Sequence, residues 1–323
     1  MLTGHGDWVR AIAVTPDGRR VVTASNDRTL KVWELESGRE LQTLSGHAGW
    51  VRAVALAPDP CRAVSASSDR TIKVWELQSG RELQTLSGHT GWVHAVTVTP
   101  GGRRAVSASS DRTLKVWELE SGRELRTLSG HARGVNAVVV TPDGQRAISA
   151  SNDQTLAVWE LESGRELQTL FGHIGQVMAV AVTPDGRRTV SASGDGTLKV
   201  WEPESGRELQ TFSSHAGGVN AVAVMPDGQR AISVADDGTF KVWELKSGRE
   251  LLTLCVGYCP WVRRDPSENT PIASPDENGY RGTPAAKSWS CSSCIRSGGR
   301  RPLRNERISL DLGAIISVSS LTL

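Results

Sequence analysis

A histidine, a serine or threonine, an aspartate and a tryptophan recur together along this 323-residue chain. In one stretch they are His47, Ser65, Asp69 and Trp75. Ser, His and Asp are the residue types of a hydrolase triad, in which the histidine takes the proton of a nucleophilic hydroxyl and the carboxylate orients the imidazole. Two features oppose that chemistry. The set occurs six times, the other copies being His5, Thr23, Asp27, Trp33; His89, Ser107, Asp111, Trp117; His131, Ser149, Asp153, Trp159; His173, Ser191, Asp195, Trp201; and His215, Ser233, Asp237, Trp243. The serine also lies inside a strand-like Ala-Val-Ser-Ala-Ser run, with no Gly-x-Ser-x-Gly elbow to expose it. A structural role fits better. A buried histidine needs partners on both ring nitrogens, and Asp, Ser and an indole N–H supply a connected network. No catalytic residue is assigned.

Other chemistry is sparse. Five cysteines, an odd number, argue against a disulfide scaffold. Cys255-x3-Cys259 and Cys291-x2-Cys294 have the residue types of a zinc thiolate site. No histidine supports it and the flanks lack a knuckle pattern, so no metal and no cofactor is expected. Neither a Gly-x4-Gly-Lys-Ser/Thr phosphate loop nor a kinase signature occurs.

The elements that must hold these residues follow from their spacing. Each histidine and each Trp-Glu returns every 42 residues, without insertion or deletion across 2–253. Periods of this size mark repeat architectures. In the second unit, Val51–Ala57, Arg62–Ser67, Thr71–Glu76 and Glu82–Leu86 read as four short strands, too short and too β-branched for helices. Pro58-Asp59, Ser68-Asp69-Arg70 and Gln78-Ser79-Gly80 supply the turns. In Val9–Val14 both strand faces turn apolar beyond Arg10, and in Leu30–Trp33 Trp33 faces away from Leu30 and Val32. Sheets apolar on both sides must be stacked on both sides, and four-stranded sheets stacked in series close naturally into a propeller. Composition agrees: 11 Trp against 2 Tyr and 3 Phe suggests one motif copied many times.

Gly-His, then Trp-Glu, on a period of 40–45 residues, resembles the WD-repeat family. The resemblance covers 2–253, as units 2–43, 44–85, 86–127, 128–169, 170–211 and 212–253, with Trp-Glu as a variant of Trp-Asp in all six. It implies an all-β propeller of four-stranded blades, six complete, with a degenerate seventh in prospect. It also implies that the His, Ser/Thr, Asp and Trp sets lock each blade. The near-identical units are similar to arrays in bacterial members. The resemblance implies a non-enzymatic scaffold for protein–protein interaction. The alternative it leaves is the sensor portion of a larger signalling protein whose nucleotide-binding, protease or kinase domain lies outside this chain.

The six units can be compared with one another. One offset reads Trp8, Trp50, Trp92, Gly134, Gln176, Gly218. Two residues on, it reads Arg10, Arg52, His94, Asn136, Met178, Asn220. Before the turn aspartate it reads Asn26, Ser68, Ser110, Asn152, Gly194, Asp236, and after it Arg28, Arg70, Arg112, Gln154, Gly196, Gly238. The resemblance implies that these offsets share one mouth of the propeller, the usual partner-binding face. Drift at exposed loops is the bland alternative. Drift does not explain the polarity: units one to three offer Trp with Arg or His, the types enriched at binding hot spots. Trp8, Arg10, Arg28, Trp50, Arg52, Arg70, Trp92, His94 and Arg112 are therefore the candidate partner-binding residues. They suit an acidic or aromatic protein or peptide. Nucleic acid is disfavoured by the balance of 37 Lys+Arg against 35 Asp+Glu. No apolar run reaches the roughly 18 residues of a membrane span, and the N-terminus lacks a signal-peptide pattern, so a cytoplasmic, membrane-free setting is expected.

The ends depart from the period. Leu2-Thr3-Gly4-His5 reads as the tail of a preceding unit. Residues 254–323 read as a degenerate seventh repeat or a poorly ordered tail. Val256–Arg263 echoes the start of a unit, Arg281–Ser309 predicts little structure, and Ile308–Leu323 is apolar enough to supply one or two closing strands.

Overall fold

The computed structural model describes residues 4–255 and 321–322. Among the described residues six antiparallel sheets follow one another along the chain, each with four strands from one continuous segment, the first taking a fifth from the chain's far end. The first takes Val9–Val14, Arg20–Ser25, Thr29–Glu34 and Glu40–Ser45; the second takes Val51–Leu56, Arg62–Ser67, Thr71–Glu76 and Glu82–Ser87. Two expected boundaries move by one residue. Ala57 leaves the first strand because its N–H closes the following turn onto the Arg62 carbonyl, at 3.0 Å. Ser87 joins the fourth because it pairs with Thr71. At the turn between third and fourth strands, the Gly80 N–H closes onto the Glu76 carbonyl at 2.9 Å, with Gly80 at φ 74°. Glycine takes that left-handed conformation without a Cβ clash.

The inner strands of consecutive sheets lie side by side, so the sheets stack face to face as blades of a propeller. Each apolar core is shared between neighbours. Leu30, Val32 and Leu44 of the first blade pack in one cluster with Val51, Trp75 and Leu77 of the second. That sharing is why both faces of each strand set are apolar: one face serves the preceding blade and one the next. At the flanks the same positions change environment. Leu77 is 1% exposed, whereas Leu35, its counterpart in the first blade, is 44% exposed. Phe240 and Leu254 of the sixth blade are half-buried, where Leu30 and Leu44 are fully buried.

Leu321–Thr322 adds a short antiparallel strand to the inner edge of the first blade, Ala11 opposite Thr322 and Ile12 opposite Leu321. The other tail features, Val256–Arg263 and Arg281–Ser309 among them, lie outside the described residues. Among the described residues no helix is long and apolar enough to cross a membrane.

Candidate functional site

An antiparallel four-stranded meander sends its first and third turns to one rim. Its second turn and the link to the next blade go to the other rim. The recurrent His-Ser-Asp-Trp set is strung between that second rim and the blade interior. In the second blade the Trp75 indole N–H donates to Ser65 Oγ at 2.8 Å. Ser65 Oγ lies 2.7 Å from His47 Nε2, and His47 Nδ1 lies 2.8 Å from Asp69 Oδ2. Asp69 also accepts the Ala48 and Thr71 backbone N–H groups, each at 2.9 Å, and the Thr71 hydroxyl. With the histidine neutral and its proton on Nδ1, every donor in this chain has one acceptor. The same bonds run through Thr23 in the first blade and through Ser107, Ser149, Ser191 and Ser233 in the others. The five network serines are fully buried, so none can present a nucleophile to a substrate. The second serine of each strand bonds elsewhere. Ser67 Oγ accepts the Asp69 N–H, a bond that Ala235 cannot make in the sixth blade.

These networks set an acid limit. Burial alone would raise the carboxyls, but hydrogen bonds from Thr, His and backbone N–H groups outweigh it and hold Asp27, Asp111, Asp195 and Asp237 at about 2, against the ordinary 3.8. Burial also lowers His89, His173 and His215 below 6.5, outweighing their aspartates. The unfolded chain therefore binds protons first at both kinds of group. The histidine contribution is present above pH 6.5 and declines below it. The carboxylate contribution is present above about pH 4 and is lost as pH falls towards about 2. Urea-unfolding midpoints should fall from pH 7.5 to pH 5 and again to pH 3. A midpoint independent of pH over that range would contradict the neutral-histidine network.

The variable offsets meet on the rim that carries the second turn. In every blade the residue before the turn aspartate donates its N–H to the carbonyl of the Trp8 offset: Asn26 to Trp8, Ser68 to Trp50, Ser110 to Trp92, Asn152 to Gly134, Gly194 to Gln176, Asp236 to Gly218. Trp8, Trp50 and Trp92 are 72%, 43% and 51% exposed, unlike the six buried network tryptophans. Arg10 lies over the Trp8 ring at 5.3 Å, and Arg52 lies between Trp50 and Trp92 at 5.7 and 4.9 Å. A shallow groove of about 800 Å³ between the second and third blades is lined in part by Trp92, Arg70 and Thr90.

Arg28, Arg70 and Arg112 stand exposed at φ 72°, 71° and 73°, and Gln154 follows at 76°. In the fifth and sixth blades the same place is held by Gly196 and Gly238. Left-handed backbone costs a non-glycine residue roughly 1–2 kcal/mol. Among the described residues none of Arg10, Arg28, Arg52, Arg70 and Arg112 forms an ion pair. On the opposite rim, by contrast, Arg39, Arg62, Arg104, Arg123, Arg207 and Arg230 each pair with a carboxylate.

Two exposed apolar residues escaped the sequence comparison. Phe171 and Ile174 are 73% and 84% exposed at the link between the fourth and fifth blades. They replace the serine of Ser45, Ser87 and Ser129 and the small residue of Ala48 and Ala132, so single departures from a near-invariant unit were the signal. Of the four cysteines with zinc-like spacing, Cys259, Cys291 and Cys294 lie outside the described residues. Among the described residues no group of three or more His, Cys, Asp or Glu is placed to hold a metal ion.

The family model described as WD domain, G-beta repeat matches residues 1–34, 38–76, 80–118, 122–160, 164–202 and 206–244. Individual relatives match over about one unit. Pleiotropic regulator 1 of Homo sapiens is 51% identical over 39 residues, 12% of this chain and 8% of that protein. Nuclear distribution protein nudF 2 of Penicillium rubens is 44% identical over 45 residues, 14% of this chain and 10% of that protein. The ribosome biogenesis protein BOP1 homolog of Drosophila grimshawi is 44% identical over 41 residues, 13% and 5%. The chain thus spans a tenth or less of the length of these curated relatives. The family match, by contrast, takes in the His-Ser/Thr-Asp-Trp lock of every one of the six blades, and the chain belongs to the WD-repeat family.

Proposed function

We propose that this propeller is a non-enzymatic interaction platform whose protein or peptide partner docks on the mouth formed by the first three blades. The family match supports protein interaction as the role. The observation that carries the choice of surface is the set of three exposed tryptophans and five arginines without an ion pair among the described residues, all on one rim. Exposed tryptophan and arginine are the side chains most often found to dominate binding energy. Their chemistry favours a partner segment rich in acidic or aromatic residues, through ion pairs and cation–π contacts. The backbone adds a second support. Arg28, Arg70 and Arg112 occupy a left-handed conformation that the fifth and sixth blades give to glycine. Strain kept at a surface where a cheaper residue is at hand is characteristic of functional positions.

Arg70→Gly combined with Arg112→Gly separates function from stability. The relief of left-handed strain is offset in part by the freedom glycine gains in the unfolded chain. The variant should melt no lower than wild type. It should also retain less partner when both proteins are immobilised and offered the same lysate of the source organism, with captured proteins quantified side by side. Equal capture of every protein by both would contradict a docking role for these arginines.

A further inference from the structure

The second blade breaks a pattern that most others keep. At the mouth, the side chain at the Arg10 offset bonds the side chain before the turn aspartate. Arg10 Nε donates to Asn26 Oδ1 at 3.0 Å, His94 Nε2 lies 2.9 Å from Ser110 Oγ, Asn136 Nδ2 donates to Asn152 Oδ1 at 2.7 Å, and Asn220 donates to Asp236. Met178 of the fifth blade has no such group to offer. Arg52 has the group but, among the described residues, no partner. Ser68 opposite it is short, and its hydroxyl turns to the Trp50 carbonyl at 3.4 Å. Arg52 Nε is buried with no acceptor, and no carboxylate meets the guanidinium among the described residues.

The surroundings sharpen this. Arg10, Arg52 and His94 lie one each on the adjacent inner strands Val9–Val14, Val51–Leu56 and Val93–Val98. Burial and then the charge of Arg10 lower the Arg52 pKa, and burial and then the charge of Arg52 push His94 down to about 4. Three basic groups thus press on one another, and the carboxylate of Asp236 at the corresponding place of the sixth blade is engaged by Asn220. A half-buried cation without a counter-ion is costly, and a bound anion removes the cost. The Arg52 Cζ lies 5.7 and 4.9 Å from the Trp50 and Trp92 ring centres, so both rings flank the guanidinium, whose planar fork suits an oxyanion through two parallel N–H groups.

We infer that the mouth binds a single oxyanion on Arg52, with Arg10 and His94 beside it, as the seat for a carboxylate or phosphate group of the docked segment. The inference rests on the reading of the mouth as the partner surface. Carboxylate and phosphate share the chemistry that Arg52 recognises, and the two are separated by the probes.

The test is a titration of the full chain, labelled with 15N at arginine, with inorganic phosphate at constant ionic strength, following the arginine Nε–Hε resonances. The Arg52 resonance is the one missing from Arg52→Lys. It should shift saturably, while that of Arg39, paired with Glu34 on the opposite rim, stays in place. His94 should take up protons at higher pH in the phosphate-bound protein. Arg52→Lys, which keeps the charge but loses the fork, should weaken binding by about tenfold or more, read at His94. Tighter binding of a short phosphoserine peptide than of its glutamate counterpart assigns the seat to phosphate, and the reverse assigns it to carboxylate. A linear drift shared by Arg52 and the ion-paired arginines, or equal phosphate binding by Arg52→Lys, overturns the inference. Partner capture is scored separately. Capture lost in a mouth variant while phosphate fails to bind discards the seat and leaves the docking surface. Phosphate binding with capture intact leaves the seat and discards the docking surface.

Discussion

Trp75→Ala should lower the melting temperature by on the order of 10 °C or more. The ring is 1% exposed and sits in the core shared by the first and second blades. Truncating a buried tryptophan costs about 3–5 kcal/mol through lost contacts and the cavity left behind. Here it also removes the N–H that Ser65 Oγ accepts, so a buried network loses a member. That adds about 1–3 kcal/mol when no water replaces it. In a chain of this size each kcal/mol moves the melting temperature by about 2–4 °C. Trp117→Ala, at the equivalent place and equally buried, should behave alike. Trp92→Ala is the contrast: its ring is 51% exposed and outside the six hydrogen-bonded locks, so its melt should stay close to wild type. A Trp75→Ala melt within a degree or two of wild type would contradict the buried-network account.

The blades and their locks are legible in the sequence because both are written in residue identity at fixed spacing. Turn residues, β-branched runs and a 42-residue period define four strands per unit, and the strands leave the recurring His, Ser, Asp and Trp only one way to meet. The environment of a side chain is not legible in the sequence where it depends on neighbours. Leu35 and Leu77 are the same residue at the same offset, yet one is exposed and the other buried, because among the described residues only Leu77 has a preceding blade packed on it. Arg10 and Arg52 likewise look interchangeable. The length of one side chain opposite decides their state: Asn26 reaches Arg10 and Ser68 does not reach Arg52. The left-handed backbone of Arg28, Arg70, Arg112 and Gln154 was within reach, since Gly196 and Gly238 at the same offset are its signature.

The measurement that bears most directly on the mouth as docking surface is affinity in a matched pair of double variants. Trp50→Ala with Arg52→Ala removes one exposed ring and the cation stacked on it. Anchors of this kind commonly cost more than about 2 kcal/mol when truncated, over tenfold in affinity. Both side chains lie on the rim, outside the six locks, so the melting temperature should change little. The control is Gln176→Ala with Asn220→Ala, exposed residues at the corresponding offsets of the fifth and sixth blades. Gly218 is unsuited to that role, because a Cβ there would lie 3.3 Å from Gly194 Cα and 3.2 Å from Asp236 Oδ2. With a captured partner in hand, titration calorimetry on wild type and both doubles should show at least a tenfold loss for Trp50→Ala with Arg52→Ala and little change for the control. Wild-type affinity in Trp50→Ala with Arg52→Ala would contradict the account and move the partner off this mouth.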